Sequence, residues 1–273
     1  RSSHREEILK ANIDMFSTYK IEPSALESGF VPLDIDVTPM DNSKTNKEGV
    51  SRTYKGFDGY APIMAYIGTE GFLANTELCE GKQHCQSNTP AFVRQTLSIG
   101  HRLTEKQLLI RMDSGNDAAE NLGLLIDDGS WFIVKRNLRR SESKEDWLTK
   151  VKEVCKDIRH PRDGKTVYIG SSWKDVEYKD SEGSVKTITM RIVYEVIERT
   201  IDKNGQYLLM PDIECNTFWT NLGWTDDEIV NSYHAHGECE QYHSEIKTDM
   251  DVERLPSGKF DTNELVLELT VLA

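Results

Sequence analysis

The stretch Val31-Pro-Leu-Asp-Ile-Asp-Val37 decides how this chain is read. Apolar and acidic side chains alternate there in the two-residue period of a β-strand, so Asp34 and Asp36 share one face. An acid inside an apolar strand is costly unless it is paired or binds a metal. Asp34 could equally face solvent on a one-sided sheet, and spacing cannot choose between the two aspartates.

Towards the amino terminus, residues 4 to 16 read as a short helix within a leader covering 1–30. Towards the carboxyl terminus, the polar stretch Asp41 to Tyr60 precedes two expected strands, Ala61 to Ile67 and Gly71 to Cys79. The turn Gly68-Thr-Glu-Gly71 joins them as a hairpin. A helix is expected near Pro90 to Arg102, then the strand Gln107 to Met112, which ends in Asp113-Ser-Gly115. A second helix is expected from about Asn116, with Asp117 and Glu120 as a capping pair, and a fifth strand over Ser130 to Lys135. The order is βββαβαβ, which makes 31–136 the first part of a core.

From Arg136 the pattern changes. A charged helix near Glu145 to Asp157 precedes β-branched runs at Lys165 to Ile169, Val185 to Val196 and Gln206 to Met210. Asp202-Lys-Asn-Gly205 marks a hairpin turn between the last two. Residues 137–222 therefore read as a β-rich insertion. Thr225-Asp-Asp-Glu228 is a capping box that starts a helix running to about Thr248. A closing helix from about Asp261 completes the second part of the core, 223–273.

In the expected long helix, Tyr233, Glu240 and Lys247 are spaced i, i+7, i+14 and lie along one face, with His236 on the same side. A phenol, an imidazole, a carboxylate and an ammonium make a poor core stripe; the bland alternative is an exposed polar face. Asp113 at a strand end could be only a turn residue. Three carboxylates drawn together from the first strand, the fourth strand and this helix could instead hold two hard cations, the arrangement used for phosphodiester cleavage, and magnesium suits oxygen ligands.

Asp36-x-Thr38, Asp113-Ser-Gly115 and the run Tyr233, His236, Glu240, Lys247 resemble the bacterial insertion-sequence DDE transposases of the cut-and-paste type, whose signature is Tyr-(2)-Arg-(3)-Glu-(6)-Lys. The runs Pro32 to Thr38, Glu48 to Tyr60 and Arg254 to Phe260 look like one branch of that group, and the resemblance covers nearly the whole chain. It implies an α/β fold: a ribonuclease H-like mixed sheet flanked by helices and interrupted by the β-rich insertion before the glutamate helix. It implies Asp36, Asp113 and Glu240 as catalytic metal ligands, with Asp34 an alternate, and two magnesium ions for which manganese can substitute. Tyr233, His236 and Lys247 would contact DNA phosphate, although Lys247 could instead pair with Asp251 on the surface. The departure is His236, where the wider signature has arginine; an imidazole offers one donor where a guanidinium offers two.

The implied partners are double-stranded DNA, as terminal inverted repeats and target, and a second copy of the chain on that DNA. The implied reaction is hydrolysis at the element end followed by strand transfer. The rivals are a ribonuclease H-like nuclease without strand transfer and an inactive DNA-binding remnant.

Composition bears on these expectations. The 273 residues carry 33 basic and 46 acidic side chains, a net charge of −13, whereas DNA-binding proteins usually show a basic footprint. Lys135 to Lys165 is a local exception, with eleven Lys or Arg against six Asp or Glu. Arg136, Arg139 and Arg140 open that stretch as candidate DNA contacts, yet a solvated helix face with internal pairs has the same composition. Arg52 and Lys55, among the aromatics of the 41–60 loop, are further candidates. The loop's aromatics could instead cap the core. Trp173 could stack on an unpaired base or simply pack.

Five scattered cysteines suggest neither a disulfide framework nor a zinc cluster, and Cys79, His84 and Cys85 lack a fourth ligand. A reducing, cytoplasmic setting is expected. No apolar run approaches the roughly 20 residues of a membrane span, and no signal peptide is visible. The start at Arg1 and the end inside an apolar run lead one to expect a fragment.

Overall fold

The computed structural model describes residues 4–83, 88–180 and 182–273. His84 and Cys85 lie outside them, so the Cys79/His84/Cys85 group is not described. In chain order the elements are α1 (Arg5–Tyr19), β1 (Val31–Val37), β2 (Met40–Asp41), β3 (Ser51–Arg52), β4 (Asp58–Tyr60), β5 (Ile63–Ile67), β6 (Phe72–Glu77) and α2 (Thr89–Leu103). They continue with β7 (Leu108–Met112), α3 (Ala119–Asp128), β8 (Trp131–Arg136), α4 (Lys144–Val154), β9 (Asp157–Arg162), β10 (Lys165–Lys179), β11 (Val185–Ile201) and β12 (Tyr207–Thr220). The chain closes with α5 (Asp226–Ala235), α6 (Cys239–Thr248) and α7 (Phe260–Leu269).

β1 lies inside a nine-stranded mixed sheet of order β6-β5-β1-β7-β8-β12-β11-β10-β9. It pairs antiparallel with β5 and parallel with β7, and β7 pairs parallel with β8. The alternation of β1 now has its cause. Val31, Leu33 and Ile35 are fully buried in the core under α1 to α4, and each contributes roughly 2 kcal/mol by leaving water. Asp34 and Asp36 point to the other face. There α5 packs Ile229 and Val230 over Leu109, Ile133 and Phe218, and α6 packs Cys239 and Ile246 beside Met64 and Tyr66. The stretch 41–60 is less loop-like than expected: β2, β4 and β3 form a small second sheet. Its Tyr60 is buried in the core while Tyr54 is 70% exposed.

The strands of the expected insertion join the central sheet. β12 pairs with β8 through Thr217↔Arg136, Phe218↔Lys135, Trp219↔Val134 and Thr220↔Ile133, so β9 to β12 extend the central sheet. An exposed β8 edge would leave a row of unpaired backbone groups, and the return of β12 covers it. The boundaries 136/137 and 222/223 therefore separate residues that share one sheet.

Three local expectations need correction. The charged helix near Glu145 to Asp157 ends at Val154; Asp157–Arg162 is the outermost strand, exposed throughout, with Pro161 tolerated because it sits on an edge. The helix expected from Asn116 starts at Ala119 without a side-chain cap. Asp117 is engaged elsewhere: it accepts from Trp219 Nε1 at 3.0 Å and the Asn137 amide at 2.8 Å, and pairs with Arg139 at 2.6 Å. Finally, the helix expected from Thr225 to Thr248 is broken by a 3-10 turn, His236–Glu238, although the Thr225/Glu228 capping box forms. Gly237 sits in that turn, where its poor helix propensity is least costly.

Candidate active site

β1 and β7 run in the same direction with Ile35 beside Met112 as their last registered pair. Asp36 and Asp113 are the next residues of each strand line. Carboxyl ends of neighbouring parallel strands are where open α/β sheets place their ligands. On the face that carries Asp36, α6 brings Glu240 in its first turn. Asp36, Asp113 and Glu240 thereby line one cavity of about 760 Å³, with Tyr233, His236 and Lys247 also in its wall.

The electrostatics of this cavity are strained in one sense. Burial and the charge of Asp113 push the Asp36 carboxyl up to about 6; His236 and the Val37 amide oppose this, and Glu240 adds to it. Asp36 Oδ1 accepts from the Val37 amide at 2.8 Å. Burial also raises the Asp113 carboxyl, against His236 and two donors to its Oδ1, the Gly115 amide at 3.0 Å and Asn116 Nδ2 at 2.8 Å. Among the described residues no Lys or Arg forms an ion pair with Asp36, Asp113 or Glu240. Oxygen donors that repel one another, without a Lys or Arg partner among the described residues, fit a hard divalent cation.

Asp34 has a different environment. Both its oxygens lie 2.6 Å from the Arg111 guanidinium, and His236 Nδ1 lies 3.0 Å from Oδ1. Although burial pushes it up, His236 and Arg111 hold its carboxyl below the usual range. Among the described residues the one group of three such side chains whose ligand atoms lie within 4.8 Å of one another is Asp34, His236 and Cys239; Asp36, Asp113 and Glu240 line the cavity at wider spacing. A cation there would face the guanidinium already seated on Asp34.

A family profile described as "Transposase DDE domain group 1" matches residues 5–273. The chain belongs to this family. Structural comparison of this DDE transposase domain finds the cryo-EM structure of the piggyBac transposase synaptic complex with hairpin DNA, at 9% identity and a TM-score of 0.42. The alignment covers 88% of this chain and 44% of that one, so the chain spans less than half the length of that transposase. No curated protein matches the chain.

The other residues singled out in the DDE domain sequence are placed variously. His236 is buried against Asp34, with its ring 5.5 Å from that of Tyr233, rather than on an exposed stripe. The Tyr233 ring rests 4.6 Å from Phe218, and burial followed by the charges of Asp113, Asp36 and Asp34 raises its phenol. Lys247 donates to the Pro39 carbonyl at 2.8 Å and is not an ion-pair partner of Asp251. Burial lowers its ammonium, partly offset by Glu253, while Lys55 adds to the lowering. Lys55 lines the cavity. Arg52 lines an adjoining cavity of about 560 Å³ and lies 3.7 Å from Asp58.

Four of the eleven basic residues in the Lys135 to Lys165 stretch are engaged in internal ion pairs. The Arg136 side chain is fully buried over the Trp219 ring and pairs with Glu142 at 2.7 Å, so it does not face solvent as a DNA contact would. Arg139 pairs with Asp117, Lys152 with Glu198, and Arg159 with Asp157 and Asp227. Arg140 is exposed. Trp173 is 67% exposed on β10 and does not pack as a core residue.

Two residues of the site escape the sequence reading. Arg111 stands in a strand whose five residues are all buried, and a charge in such a strand demands a partner. His243 follows Glu240 by three residues, a spacing that puts both on one side of α6. Its imidazole is buried in the cavity wall beside Asp36. Burial, with Lys247, His236 and Lys55 nearby, pushes it down to about 3, so it is neutral near pH 7. No helix among the described residues is long and apolar enough to cross a membrane.

Proposed function

We propose that this domain is the catalytic part of a DNA transposase of the insertion-sequence group with the Tyr-(2)-Arg-(3)-Glu-(6)-Lys signature, acting on phosphodiester bonds at element ends. One observation carries this reading: Asp36, Asp113 and Glu240, from two parallel strand ends and a helix far along the chain, line a single cavity in which their charges work against one another. The central β1, β5 to β8 and their helices support a ribonuclease H-like core.

In this reading the three carboxylates hold two divalent cations, magnesium or manganese. When bound, such ions lower the pKa of water and offset charge on the leaving oxygen of a phosphodiester. The chain's own groups do the rest. Tyr233 and Lys247, in the same wall, orient the scissile phosphate, with Lys55 as a further positive charge at the rim. His236 acts indirectly: it holds Asp34, which is locked to Arg111, and so fixes the strand that carries Asp36. Asp34 is accordingly a structural anchor rather than an alternate ligand. Water cleaves the strand at the element end, and the freed 3′-hydroxyl is the nucleophile for joining to target DNA. Joining two element ends calls for two copies of the chain on DNA.

The test is an assay of terminal-repeat duplex with target DNA and magnesium, comparing wild type with Glu240→Gln. Nicked and joined products from wild type alone support the reading. Nicks without joining favour a nuclease, and equal inactivity of both proteins favours a remnant that only binds DNA.

A further inference from the structure

His243 is 94% buried, yet its imidazole makes no hydrogen bond within the described protein. Nε2 is enclosed without a partner, and the nearest acid to Nδ1 is Asp36 Oδ2 at 3.8 Å, beyond hydrogen-bond reach. The ring lies 5.3 Å from that of Tyr66, whose hydroxyl is turned to Met64. A buried ring nitrogen without a partner is costly, so packing alone is a poor reason for a histidine here.

The 3.8 Å separation has another meaning. Two ligand atoms about 2.1 Å from one ion lie roughly 3.0 Å apart when adjacent in an octahedron and roughly 4.2 Å apart when opposite. The distance between His243 and Asp36 falls between these limits. Glu240, one turn earlier on α6, lines the same cavity as His243 and Asp36, at a spacing wider than 4.8 Å from at least one of them.

We propose that His243 is a further metal ligand, its Nδ1 joining Asp36 on the same divalent cation. This rests on the reading of the three carboxylates as a cation site. The donor set then contains nitrogen as well as oxygen, and an imidazole favours manganese and later first-row ions over magnesium. The site is thereby biased toward manganese.

Pulsed electron paramagnetic resonance of the manganese-loaded chain tests this without reference to activity. The expected result is nitrogen coupling to bound manganese in wild type, altered by 15N-histidine labelling and lost in His243→Gln. That variant should also bind manganese about tenfold or more weakly, with a smaller change for magnesium. If His243→Gln fails to fold, persistence of the coupling in the double variant His234→Gln/His236→Gln makes the same assignment, since it removes the other two imidazoles of the cavity wall. Manganese that binds wild type, is lost in Asp36→Asn and shows no nitrogen coupling overturns the role of His243 alone. Failure of wild type to bind manganese at all overturns the three-carboxylate site and this ligand with it.

Discussion

Arg111 and Asp34 stand directly opposite each other on the parallel strands β7 and β1, joined by two contacts of 2.6 Å, and Arg111 Nη1 also donates to the Ser232 carbonyl of α5 at 2.8 Å. One guanidinium therefore fastens α5 to the two strands that end in Asp36 and Asp113. Removing it leaves the buried Asp34 carboxylate with His236 as its remaining partner. Arg111→Met is expected to lose about 3–5 kcal/mol in urea unfolding, and the double variant Arg111→Met/Asp34→Leu to recover much of that. Equal losses in both would show that the pair is not what matters.

Asp36 gives a prediction of opposite sign. Its carboxyl sits at about 6 in the folded chain against an ordinary value of 3.8, so the native state holds its proton more tightly than the unfolded state. Native stability from this group is present below about pH 4 and is lost as the pH rises through 6; the loss is at most ~3 kcal/mol. Without divalent ions, Asp36→Asn should unfold at a higher temperature than wild type at pH 7.5 and at a similar one at pH 4. Parallel curves across that range would contradict the electrostatic account.

The turn between β5 and β6 is coupled to α6. Gly71 adopts φ +73°, and a Cβ on it would lie 2.3 Å from the ring of Tyr242, whose hydroxyl donates to the Thr69 carbonyl at 3.1 Å. Gly71→Ala combines backbone strain with a clash against the helix that carries Glu240. A loss of roughly 1–3 kcal/mol is expected, together with weaker manganese binding by calorimetry. Destabilisation with unchanged metal affinity would separate the turn from the site.

Lys247 and Arg136 should behave differently on DNA. In terminal-repeat binding measured against salt, Lys247→Gln is expected to reduce the log–log slope by about one phosphate contact. Arg136→Gln should leave the slope alone and lower the unfolding temperature, because its guanidinium is buried on Glu142 and Trp219. The reverse pattern would relocate the DNA path to the basic stretch.

What the sequence makes legible here is what neighbours along the chain decide. The alternation around Asp34 and Asp36, the turn at Gly68 to Gly71 and the Thr225/Glu228 cap all rest on residues a few positions apart, and each has its counterpart in the structure. The candidate acids stand out because acids in or at the ends of apolar strands are conspicuous. What stays hidden depends on partners far away. Asp117 looks like a cap until Trp219 and Arg139 take its oxygens. His236 looks exposed until the helix breaks and Asp34 receives it. The union of β12 with β8 leaves no mark in either segment, because a buried edge and a separate module need the same β-branched residues.

That union also ties the candidate site to a distant pairing. Glu240 lies some 200 residues after Asp36 and is preceded by the strand that pairs with β8. Such distant pairing is slow to nucleate. The wall that Glu240 adds to the cavity of Asp36 and Asp113 therefore hangs on a seam between β8 and β12, so loosening that seam is a way to disturb the three acids without touching any of them.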